Sequence, residues 1–233
     1  TRASGTIPTA KRSPDSPCSN TRNFPIRLPL QSQTCSWSKA NPAILAKFAE
    51  NTRTMIVNER ESRHEHVLQV GRQMMTAART APKGKGIDII EVGMVTDQDI
   101  VRLSEEMVRY SEESGMKFLL RDAENLQQAE AVIIIGTAQK VQGLNCAHCG
   151  YATCAEKPDA VPCAINTIDV GIAVGSACAT AADCRVDSRV MFSAGMAAQR
   201  LGYLGDCTCV MAIPISASSK NPFFDRKPKT PVQ

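Results

Sequence analysis

From residue 58 onward, apolar positions recur at two spacings, three-to-four and two, and the alternation between them outlines the elements of the chain. Asn58 followed by Glu61 reads as a capping box, and Val67, Val70, Met74 and Ala77 then fall on one side of a helix predicted over 59–80, which stops before Pro82. Residues 87–95 alternate as a strand. Thr96 is placed to cap a helix carrying Ile100, Leu103, Met107 and Tyr110 on one face and ending near Gly115. Residues 117–120 read as a strand, 123–128 as a short helix, and 131–136 (AVIIIG) as a strand apolar enough to be buried on both faces. Pro162 is placed to begin a helix with Ile165, Ile168, Ile172 and Gly175 along its apolar side, and Gly171, Ala173, Gly175 and Ala177 predict close packing. Asp187 caps a predicted helix over 188–201, and 208–215 is a last strand, with Cys207 and Cys209 on one face by the period of two. Helices interleaved with strands predict an α/β (α+β) domain with helices on both faces of a mixed sheet.

Residues 1–54 differ from this pattern. They hold eight basic residues against two acids, a net +6, so the total of +4 leaves −2 for the remainder. The apparent basicity therefore belongs to this segment, and nucleic acid is not expected as a partner; an aromatic share of 4% also argues against base stacking. All nine Met fall at or after Met55. The segment is rich in Ser and poor in acids, as transit peptides are, but its six Pro oppose an amphipathic helix. A disordered leader, or translated upstream sequence with Met55 as the natural start, is the preferred expectation. No secretory core is present, and Asp169 and Asn166 interrupt the one long apolar stretch, so a cytoplasmic protein without a membrane span is expected.

The most specific chemistry lies in residues 145–163, NCAHCGYATCAEKPDAVPC, where Cys146, Cys149, Cys154 and Cys163 stand at C-x2-C-x4-C-x8-C. Thiolates are soft ligands, and three in a short loop can face one soft metal centre while a fourth closes the cage. Three readings stay open: an iron–sulfur cluster, a structural zinc site, or unmetallated cysteines. Cys178 and Cys184 compete with Cys163 as fourth ligand. His64 and His66, at i and i+2 of a helix, face different sides and read as solvated positions. The Pro-Gly-Lys loop at 82–88, with Lys83 and Lys85 beside Gly84 and Gly86, suits either an anion cradle or a solvated loop. With three His and no Gly-x-Ser-x-Gly or phosphate-binding P-loop, no hydrolase constellation is present.

The string from Cys146 to Cys154 resembles the C-x2-C-G-Y-x2-C signature of four-iron four-sulfur domains in Rnf-type electron-transport subunits and corrinoid iron–sulfur proteins. More broadly, residues 55–226 resemble the ferredoxin-domain-containing family of uncharacterised prokaryotic proteins. The stretches that carry this are AARTAPKGKGID, the cysteine loop, DVGIAVGSA, ADCRVDSRVMFSAG and PISASSKNPFFDR. The resemblance implies a single domain over 55–233, a 4Fe-4S cluster on the four cysteines, and electron transfer to a redox partner protein or small-molecule acceptor. A weaker, fold-level resemblance is to flavin-dependent nitroreductases. It rests on Ala-Ala-x-x-Ala-Pro at 77–82, Ala-rich central helices, the Leu-Gly-Tyr-Leu-Gly turn and the basic tail. It implies FMN, with Arg79, Lys83, Lys85 and Arg226 as phosphate contacts, and a homodimer.

Overall fold

The structure, a computed structural model, describes residues 56–224; residues 1–54 and Arg226 lie outside the described residues. The elements are α1 (Glu59–Thr80), a 3-10 turn (Gly84–Gly86), β1 (Ile90–Val95), α2 (Gln98–Ser114), α3 (Phe118–Leu126), β2 (Ala131–Thr137), α4 (Ala164–Asp183), β3 (Asp187–Ser188), α5 (Phe192–Arg200) and β4 (Thr208–Ser216). The strands form one open sheet in the order β1-β2-β4-β3. Every pairing among the described residues is antiparallel, where a mixed sheet was expected. The reason is visible in the register. Val95, the end of β1, sits opposite Val132 at the start of β2, so the α2–α3 connection leaves and re-enters the sheet at one end. The link from β2 to β4 does the same at the other end, where Thr137 faces Thr208.

Strand β2 is buried at every position, as AVIIIG predicted. Its alternation divides the core: Ala131, Ile133 and Ile135 point into one cluster with α1 and α4, and Val132 and Ile134 into another with α2, α3 and α5. The sheet is thus covered by helices on both faces, and the fold is α+β.

Helix α1 has the predicted bounds, with the Asn58 side chain accepting from the Arg60 amide (3.1 Å) and donating to Glu61 (3.0 Å). Three local expectations change. Residues 117–120 are not a strand but open α3, because Leu119, Ala123 and Leu126 share one buried helical face. Residues 188–191 are not helical: β3 pairs with β4 through Asp187–Ser216 and Ser188–Ile215, and Met191 bridges Ala212, so tertiary pairing delays α5 to Phe192. Cys207 and Cys209 do not share a simple face, since the β2–β4 register slips near Thr137 and Cys209 adopts φ 53°.

Small residues are used differently from expectation. A Cβ on Gly171 or Gly175 of α4 meets nothing within 4 Å, whereas Ala173, Ala177 and Ala181 are fully buried. The closest backbone approach is at Gly195 of α5, where a Cβ runs into the carbonyl group of Val210. By length and composition α4 is the one helix among the described residues apolar enough to cross a membrane. Its buried face packs on α1 and the sheet, and its Asp169 is bonded to the 84–86 turn.

Candidate metal centre

The connection between β2 and α4, residues 138–163, contains no helix or strand. Loops of this length inside a compact domain are uncommon and usually functional. It turns sharply through left-handed backbone at Asn145 (φ 48°), Ala147 (φ 58°) and Gly150 (φ 90°), with the Gly150 amide returning to the Ala147 carbonyl at 2.9 Å. These turns bring Cys146, Cys149 and Cys154 around one cavity. Cys163, the N-cap of α4, lines the same cavity. The closed part of this space is small, about 10 Å³, and all four thiols are half-buried. Among the described residues no three His, Cys, Asp or Glu side chains are grouped as for a single metal ion.

Asn145 ties the loop across itself. Its Oδ1 accepts from the Cys154 amide at 2.8 Å, and its own amide donates toward Cys154 Sγ at 3.4 Å. Lys157, 9% exposed, also lines the cavity and donates to two neutral acceptors, the carbonyls of Pro158 (2.9 Å) and Val161 (2.6 Å). Its charge adds positive potential to the wall. Gln142, 4% exposed, is a further lining residue. Neither Lys157 nor Gln142 stood out in the sequence, because a polar residue in a polar loop gives no sign of being buried. His148 bonds the Cys146 carbonyl through Nδ1 (2.9 Å) and does not line the cavity.

The two competing thiols lie elsewhere. Cys178 and Cys184 are about 22 Å and about 30 Å along α4 from Cys163 at 1.5 Å per residue. Both pack against the α1–α4 cluster, and Cys184 donates to Gln73. Burial pushes the Cys178 thiol up, partly relieved by a hydrogen bond with Ser188.

Arg79, Lys83 and Lys85 each hold a partner within the chain, and Arg226 lies outside the described residues. Arg79 pairs with Asp88 (2.8 Å) and Glu91 (3.7 Å) and donates to the Ile90 carbonyl. Lys83, its side chain buried, caps the end of α1 by donating to the carbonyls of Ala78 (3.1 Å) and Arg79. Lys85 reaches the Gln142 carbonyl at 3.4 Å. The loop does cradle an anion, and the anion is the chain's own: the Gly84 amide donates to both carboxylate oxygens of Asp169, at 2.9 and 3.0 Å. Arg189 reaches Asp122 of α3 at 3.6 Å.

These features define an α+β domain whose one long connection builds a thiol-lined cavity. Residues 159–226 match the family described as uncharacterised proteins containing a ferredoxin domain (DUF2148); this stretch includes Cys163 and begins after the other three cysteines. An uncharacterised protein of Archaeoglobus fulgidus is 37% identical over 185 residues, which cover 75% of this chain and 100% of the relative. The chain belongs to this family of ferredoxin-domain-containing proteins. Among solved structures, a nitroreductase with bound FMN from Bacteroides fragilis has a TM-score of 0.49 at 12% identity, covering 70% of this chain and 84% of the other. A nitroreductase with bound FMN from Desulfitobacterium hafniense has a TM-score of 0.47 at 12% identity, covering 70% and 82%. These are loose similarities in backbone course, and nothing about the site rests on them.

Proposed function

We propose that this chain is an electron-transfer protein whose cavity holds a 4Fe-4S cluster on Cys146, Cys149, Cys154 and Cys163. The observation that carries this reading is the convergence of four thiols from one loop and one helix start on a single cavity. The ferredoxin domain in the family's description supports it. When bound, such a cluster accepts and releases single electrons. The chain's own groups suit a site that gains negative charge. The Asn145 amide donates toward the Cys154 sulfur, Lys157 supplies positive potential, and Cys163 stands at the N-terminal end of a 20-residue helix, where backbone amides favour anions. Electrons pass to a redox partner protein or a small acceptor.

The competing reading is a structural zinc on the same thiols, and metal analysis separates the two. Anaerobically prepared protein is expected to carry about four irons and four acid-labile sulfides per chain, with a broad absorption near ~400 nm that dithionite bleaches. Cys154→Ser loses the iron, and Cys178→Ser and Cys184→Ser keep it. Stoichiometric zinc without sulfide, or iron indifferent to Cys154→Ser, overturns the reading.

A further inference from the structure

The wall of the thiol cavity holds one amide side chain that no group among the described residues satisfies. Gln142 is 4% exposed, and neither its Nε2 nor its Oε1 has a hydrogen-bond partner there. Buried polar groups are nearly always bonded, so an orphan of this kind points to a ligand that is part of the working protein. Gln142 shares its cavity with Cys146, Cys149, Cys154 and Cys163, and its backbone carbonyl is held by Lys85 (3.4 Å). The Lys85 side chain thus ties the start of the cysteine loop to the 84–86 turn, which Asp169 fastens to α4. This bracing keeps the side chain at the wall.

Sulfur atoms of a thiolate-ligated cluster are hydrogen-bond acceptors, and an amide N–H is a donor without charge. We propose that the Gln142 Nε2 group donates to the cluster's sulfur atoms and raises its reduction potential, an inference that rests on the cluster reading given above. The direction follows from charge. Reduction adds one electron, the sulfurs become more negative, and a fixed donor bonds the reduced state more strongly than the oxidised one. Gln142 acts through these hydrogen bonds as a tuning residue and is not a ligand.

The test compares wild type with Gln142→Leu, Gln142→Met and Gln142→Asn, all prepared anaerobically. Each is assayed for iron and sulfide, poised by spectroelectrochemical titration, and examined by resonance Raman in H2O and D2O. Leu and Met keep the wild-type iron and sulfide content and shift the potential to more negative values. Asn, with the donor on a shorter stem, lies between them and wild type. The iron–sulfur stretching bands of wild type move in D2O, and part of that movement is lost in the Leu and Met variants. Full iron content with an unmoved potential and an unaltered D2O effect in both variants overturns the role of Gln142 and leaves the cluster standing. Wild type without iron and sulfide removes the cluster reading and this proposal together. Should the Leu variant fail to fold, Met, flexible and of similar length, carries the comparison.

Discussion

Asp88 shows how a single ionisable side chain couples pH to stability. Burial pushes its carboxyl up, but the Arg79 hydrogen bond, the Ile90 amide and the charges of Arg79 and Lys83 outweigh it, and the group sits below the usual carboxylate range. A depressed value means stability that is present above the unfolded pKa, about 3.9, and lost as pH falls through the folded one. Asp88→Asn is therefore expected to cost less than about 1 kcal/mol at neutral pH, because the pair is largely exposed. The deficit closes as pH falls below the unfolded value and on through the folded one, and urea unfolding at neutral and at acid pH checks it. The thiols invite a parallel experiment. Burial pushes Cys178 up, and burial with the charges of Glu91 and Asp206 does the same for Cys207. Both are expected to react last with iodoacetamide at neutral pH, and faster as pH rises; residue-by-residue mass spectrometry reads the order.

Among the elements, the glycines of α4 and α5 separate propensity from packing. Gly175 sits in a helix with open space beside it, so Gly175→Ala is expected to stabilise by about 0.5–1 kcal/mol through helix propensity. Gly195 sits where α5 presses on β4, with Met211 Cα 2.9 Å from a built Cβ, and Gly195→Ala is expected to destabilise by about 1–3 kcal/mol. Thermal unfolding of the two variants should move in opposite directions; a shift of the same sign in both would contradict this account of the α5–β4 contact. Legibility followed the same division. Helix α1 and strand β2 were readable because their own periodicity matches what buries them. The stretch 117–120 was not, since the three-residue apolar run Phe118, Leu119 and Leu120 fits a strand until Ala123 and Leu126 extend its helical face. The non-helical 188–191 was not either, because its pairing partner lies across the sheet in β4.

For the whole molecule, β2 is the shared wall between two cores. Ile133 and Ile134 are adjacent in sequence and face opposite clusters, each fully or almost fully buried. Ile133→Ala and Ile134→Ala are each expected to cost about 2–5 kcal/mol. Because one strand carries both, either variant should lower the stability of the whole sheet-and-helix unit, and unfolding followed by near-UV and far-UV circular dichroism should remain one coincident transition. Separate transitions would mean that the two cores fold independently. The same architecture explains the cysteine loop. It spans the gap between the end of β2 and the start of α4, so both of its anchors belong to the core against which the cavity is built.

The sequence by itself determined the α+β character, the doubly buried central strand, and the four thiols at a spacing that suits one site. Each is a local matter of period, composition or ligand chemistry. The antiparallel sheet, the delayed start of α5 and the burial of Gln142 and Lys157 were decided only by tertiary structure. Strand direction depends on which end of the sheet a connection returns to, and burial depends on what packs over a residue. Tertiary structure also settled the place of the Lys-Gly turn, because the carboxylate it holds, on Asp169, comes from 85 residues further along the chain. Such a partner leaves no trace in the spacing of the residues that receive it.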